Sequence, residues 1–86
     1  MESKIQANIK ARFERAGWMV VKLIQTNCNG IPDLMCLKNG KTVFVEVKQP
    51  GREPTELQKY RHAELIKQGF TVHVLTTDKD LIIWKI

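Results

Sequence analysis

The sequence predicts a single α/β domain in which one helix precedes three strands and a second helix leads into a fourth. Three observations carry that expectation. Apolar residues recur at helical spacing near the start, an Asn-Gly turn joins two apolar runs in the middle, and a capping box opens a second helical stretch beyond it. Eighty-six residues suffice for one domain over 1–86. A chain of this size buries roughly 60% of the surface it exposes when unfolded, so its core is small.

Each element has its own signal. Ser3-Lys4-Ile5-Gln6 has the form of a capping box, Ile5, Ile9, Phe13 and Ala16 follow at helical spacing, and Gly17 stands where a terminating glycine belongs. These predict a helix over about residues 4–16. "WMVVKLIQ" reads as a strand, with Lys22 on the same face as Trp18, Val20 and Ile24. "TNCNGI" is a polar loop, and Pro32 gives up a backbone donor where the next strand begins. That strand runs over about Asp33 to Leu37, Asn39-Gly40 turns the chain, and a third strand follows over about Lys41 to Lys48. "QPGREP" breaks regular structure. Thr55-Glu56-Leu57-Gln58 then caps a helix bearing Leu57, Tyr60, Arg61, Glu64, Leu65 and Gln68 on neighbouring positions, closed by Gly69. "FTVHVLT" is a fourth strand and "LIIWKI" a short fifth.

Composition narrows the function classes. With 43% apolar and 27% charged residues the chain is that of a folded soluble domain. No apolar run approaches the roughly 20 residues that cross a bilayer. The N-terminus has no apolar stretch behind its charges, so no signal peptide and no membrane association are expected, and the cytoplasm is the expected compartment. Cys28 and Cys36 are spaced for neither a zinc knuckle nor an expected disulfide, and His62 and His73 are not placed to complete a metal site; free thiols are expected. Fourteen basic against nine acidic side chains give a net charge of +5. A basic balance suits a polyanionic partner, because cations that replace condensed counterions gain affinity for phosphate.

The third strand carries an oddity. Its period of two puts Val43, Val45 and Val47 on one face and Phe44, Glu46 and Lys48 on the other. Glu46 and Lys48 then emerge about 7 Å apart along the strand. Counting outward from Asn39-Gly40 pairs Lys38 with Lys41, Cys36 with Val43 and Leu34 with Val45, which sets Asp33 opposite Glu46. Cross-strand neighbours have Cβ atoms roughly 5 Å apart, and two like charges that close call for a cation between them. A divalent ion held by hard oxygen ligands answers the need. Lys48 would stand beside it, able to neutralise charge growing on a phosphate. Two carboxylates, an ammonium and a water held by the ion are the parts of phosphodiester hydrolysis. An isolated Glu-x-Lys is common by chance, and an exposed strand face with a turn-capping Asp is the plainer alternative. Against it stand the Pro-Asp step, the hairpin spacing, Glu-Val-Lys and the Gln at the head of the next helix, all together.

"GIPD" at 30–33, "VEVKQPG" at 45–51 and "TELQ" at 55–58 resemble the PD-(D/E)xK nuclease superfamily and, within it, the VRR-NUC family. The likeness covers nearly the whole chain and is that of the short phage-encoded members, which implies a phage or bacterial origin. It implies a restriction-endonuclease-like αβββαβ core, a mixed central sheet flanked by helices. It also implies roles: Asp33, Glu46, the carbonyl of Val47 and Glu2 toward Mg2+ or Mn2+, Lys48 as catalytic lysine, and Gln58 positioning water or phosphate. No organic cofactor is implied.

Outside the motif, Arg52 in the following loop is the better phosphate candidate, with Gln49 beside it; Lys22 could touch phosphate but reads equally as a surface lysine. Lys59 and Arg61 read as a solvated helix face. Trp18, Phe44, Tyr60 and Trp84 read as core or interface aromatics, and His73 as a structural histidine. The expectation is thus a metal-dependent, structure-specific DNA endonuclease acting on branched DNA such as Holliday junctions, as a homodimer. A basic DNA-binding module with a catalytically silent nuclease fold is the alternative. A protein-interaction domain, a third class, would lack salt-dependent DNA affinity.

Overall fold

In the computed structural model, which describes residues 2–77, the elements run in the order α1 (Glu2–Arg15), β1 (Met19–Lys22), β2 (Leu34–Lys38), β3 (Lys41–Val47), α2 (Glu56–Lys67) and β4 (Thr71–Leu75). The expected strand over "LIIWKI", with Trp84, lies outside the described residues. Asn39 and Gly40 both take positive φ, 50° and 77°, as a two-residue hairpin turn of type I′ requires. The register that follows pairs Lys38 with Lys41, Cys36 with Val43 and Leu34 with Val45, the pairing counted from the sequence. β1 joins β2 antiparallel, while β4 lies parallel to β3 after the α2 crossover. The sheet is therefore mixed, in the order β1-β2-β3-β4.

The two faces of the sheet have different work. Ile9 and Phe13 of α1 pack with Leu34, Cys36, Val45, Val47 and Leu75 into the core, with Ile5, Trp18, Val20 and Val43 around it. Burying these side chains is the main stabilising term in so small a molecule. The Phe13 and Trp18 rings meet edge to face at 5.5 Å. The opposite face carries Phe44 and Glu46 and lies under α2, which makes β3 buried on both sides from Phe44 to Val47. That double cover explains an apolar run without a solvated face.

Two boundaries differ from the sequence reading. α1 begins at Glu2, so Ser3 lies within the helix and does not cap it. Neither Glu2 nor Ser3 nor Lys4 breaks a helix, and the first turn extends back through them. β1 ends at Lys22 rather than near Gln25. Leu23 still donates to the Asp33 carbonyl at 2.8 Å, and that contact, one step beyond the Lys22–Leu34 pair, is where the β1–β2 ladder ends. Among the described residues no helix is long and apolar enough to cross a membrane.

Candidate active site

At the C-terminal end of β3 three chemically active side chains converge from two segments of the chain. Asp33 stands just before β2, one residue beyond the last pair of the β2–β3 ladder. Its Oδ2 accepts from the Val47 backbone N–H at 2.8 Å. Glu46 points the other way from Val45 and Val47, toward α2, and is only 1% exposed. The Lys48 ammonium lies 4.0 Å from Glu46 Oε2. Both side chains are largely removed from water, 13% and 2% exposed, so this is no solvent-screened surface pair.

A buried carboxylate is costly unless it is hydrogen-bonded. α2 supplies the donors. Thr55 caps it in the expected box: its Oγ1 accepts from the Gln58 N–H, and Gln58 Oε1 accepts from the Thr55 N–H at 2.8 Å. That box fixes Gln58 so that its Nε2 faces Glu46 Oε2 at 3.5 Å. One turn on, His62 Nε2 lies 3.2 Å from Glu46 Oε1. Burial pushes the His62 imidazole below its usual range, the Lys48 charge adds to this, and Asp33 partly offsets both. Burial likewise pushes the Cys36 thiol up to about 12, and both cysteines are free.

Asp33, Glu46, Val47, Lys48 and Gln58 are thus brought together. Gln49 and Arg52 flank them: with Lys48, Glu53 and Thr55 they line a cleft of about 210 Å³, and the Arg52 N–H donates to the Gln49 carbonyl at 3.0 Å. Lys22 is not part of the group. It pairs with Leu34, which pairs with Val45, and so belongs to the sheet face opposite Glu46. Glu2 is the first residue of α1, and its side chain lies outside the described part of the structure. Arg61 is not a purely solvated residue: its Nε donates to the Asn29 carbonyl at 2.8 Å and its Nη1 to Glu64 Oε1, tying α2 to the loop that leads into Asp33.

The sequence reading missed His62. The signal was available in the four-residue step from Gln58, which puts both side chains on one face of a helix. It was obscured because a histidine among charged neighbours reads as exposed, whereas this one is 8% exposed.

Among the described residues no group of three or more His, Cys, Asp and Glu side chains is arranged to hold a metal ion. The donors present are two carboxylates and backbone carbonyl oxygen. That set fits Mg2+, which is held through one or two carboxylates plus waters and substrate phosphates rather than in an all-protein cage. Charge compensation for Glu46 is already available from Lys48. Repulsion between the acids therefore does not by itself demand an ion, and the case for one rests on donor chemistry.

Comparison with known proteins places the family and the fold. Residues 1–79 match the family model described as the VRR-NUC domain. The chain is 37% identical over 75 residues to "Putative nuclease p44" of Acyrthosiphon pisum secondary endosymbiont phage 1, covering 86% of this chain and 81% of that protein. A solved structure described as "VRR_NUC domain" superposes with a TM-score of 0.83 at 36% identity, covering 92% of this chain and 87% of the other. A second, described as "VRR_NUC domain protein", shares the fold at a TM-score of 0.75 and 19% identity, with coverage of 95% and 82%.

Proposed function

This chain belongs to the VRR-NUC family and is a nuclease domain; from that premise we propose that it hydrolyses DNA phosphodiester bonds with Mg2+ or Mn2+ as cofactor. One observation carries the reading. The Asp33 carboxylate is tied to the Val47 N–H while Glu46 in β3 and Lys48 just beyond it lie 4.0 Å apart, so two acids and an ammonium meet at one strand end.

Asp33, Glu46 and the Val47 carbonyl would hold the ion, with Glu2 a further acidic member. When bound, such an ion polarises a phosphoryl oxygen and acidifies water. The rest falls to the chain. Asp33 is fixed through Oδ2, which leaves Oδ1 for a ligand. The Lys48 ammonium offsets the negative charge that grows on the phosphoryl oxygens as water adds and the ester oxygen departs. Gln58, held by its cap, presents an amide that orients water or phosphate. Arg52 and Gln49 contact the DNA backbone from the adjoining cleft. Lys22, on the other face, contributes only to the overall positive field.

The substrate class we assign is branched DNA. One small basic chain offers little surface to a junction, whereas a two-fold pair supplies two sites to a symmetric four-way substrate. The test is cleavage of labelled four-way, flap and duplex DNA in Mg2+, Mn2+ and EDTA, with Asp33→Asn and Lys48→Ala alongside. Expected are preferential cutting of the junction in either metal, none in EDTA, and a loss of about 100-fold or more in each variant. Light scattering on the same sample should give twice the chain mass. Binding without cutting in both metals leaves a silent DNA-binding module and ends the enzymatic reading; equal cutting of plain duplex, or a monomer that cuts, removes the junction or the dimer from it.

A further inference from the structure

Resting on that reading of the metal site, we infer that His62 is a positioning residue, whose Nε2–H fixes the Glu46 carboxylate in the orientation that receives the cation. The inference stands on geometry. His62 approaches Glu46 Oε1 to 3.2 Å, closer than Gln58 approaches Oε2 at 3.5 Å and closer than Lys48 at 4.0 Å. Lys48 at that distance supplies charge but no hydrogen bond, and Gln58 divides its amide between Glu46 and the helix cap. His62 thus makes the firm directional contact of the three.

The donor direction follows from chemistry. An ionised carboxylate only accepts, so the ring nitrogen that faces it carries the proton. Engaging Oε1 sets the rotation of the carboxylate and turns Oε2 toward Lys48. The imidazole can hold that setting because it is buried and mounted on a capped helix. Carboxylates that ligate metals are characteristically held by such outer partners, and losing one typically weakens metal affinity or activity by about 10–100-fold.

The test is calorimetric titration of Mn2+ into the full chain without DNA, for wild type, His62→Leu and His62→Gln, with urea melts of the metal-free proteins. His62→Leu keeps the apolar contact and loses the donor, and its Mn2+ affinity should fall at least about 10-fold. His62→Gln retains an N–H and should recover most of that loss, although its metal-free stability need not exceed that of the leucine variant. A packing role would make affinity follow stability; a positioning role makes it follow the donor. Equal Mn2+ affinity in wild type and His62→Leu overturns the inference. If His62→Leu does not fold, the 15N shifts of the wild-type imidazole decide: a proton on Nε2 is required, and one on Nδ1 alone overturns it. Failure of the wild type to bind Mn2+ sinks the metal-site reading itself, a distinguishable result.

Discussion

At the scale of single residues, Asp33 does two jobs that a substitution can separate. Its Oδ2 satisfies the Val47 N–H at 2.8 Å, a donor with no further pair in the β2–β3 ladder. Asp33→Ala orphans that partly buried donor and should cost about 1–2 kcal/mol in urea unfolding, toward the low end for a lost partner because the site is only half-buried. Asp33→Asn keeps an acceptor oxygen and should stay within about 0.5 kcal/mol of wild type. Equal destabilisation by both would remove the hydrogen bond as the cause. The asparagine variant is therefore the cleaner probe of chemistry. The approach of Asp33 to the Glu46 strand was readable in advance, because the Asn39-Gly40 turn permits one short register. The depth of Glu46 was not. Period-two alternation assigns a face but cannot say what covers it, and here the cover is a helix some ten residues further along the chain.

At the scale of elements, the loop from Leu23 to Pro32 and helix α2 form one clamp around the site. Arg61 grips the Asn29 carbonyl, and Gly30, with φ of +84°, lies so close to α2 that an added Cβ would meet Leu57 Cγ at 2.9 Å and the Leu57 carbonyl oxygen at 3.0 Å. Gly30→Ala meets both a left-handed backbone and a backbone oxygen, and should lower stability by about 2 kcal/mol or more in urea melts. Leu57→Ala relieves the side-chain overlap but leaves the carbonyl, so the double variant should recover part of the loss and not all of it. Full recovery would mean that backbone strain at Gly30 is negligible. The elements of this clamp were unequally readable. Thr55 and Gln58 announce their cap locally, and the structure forms it. The Arg61 contact spans 32 residues, and no local pattern reports a partner at that distance. β1 is shorter than its apolar run suggests because its partner strand β2 begins only at Leu34, and an apolar run does not report where its partner starts.

At the scale of the whole molecule, the order of elements implied the topology: a helix between β3 and β4 permits a parallel return, and the hairpin forces the antiparallel half. Packing on both faces of this sheet also places both histidines partly out of water, His62 on the inner side of α2 and His73 in β4, and burial is the first cause that pushes each imidazole below its ordinary value of 6.5. The consequence for stability has a definite sign. Between the folded and unfolded values the unfolded chain binds more protons than the folded one, so stability rises with pH across that window. The contribution is complete above about pH 6.5 and is lost as pH falls from there toward the lowered folded values. Thermal melts of the metal-free protein should therefore show a falling midpoint from pH 7.5 to 5.0. His73→Gln removes one titrating group without touching the site and should flatten that fall while retaining cleavage at pH 7.5. An unchanged slope in His73→Gln would mean that His73 titrates alike in both states, and a midpoint that rose on acidification would reverse the assignment of both imidazoles as neutral in the folded protein.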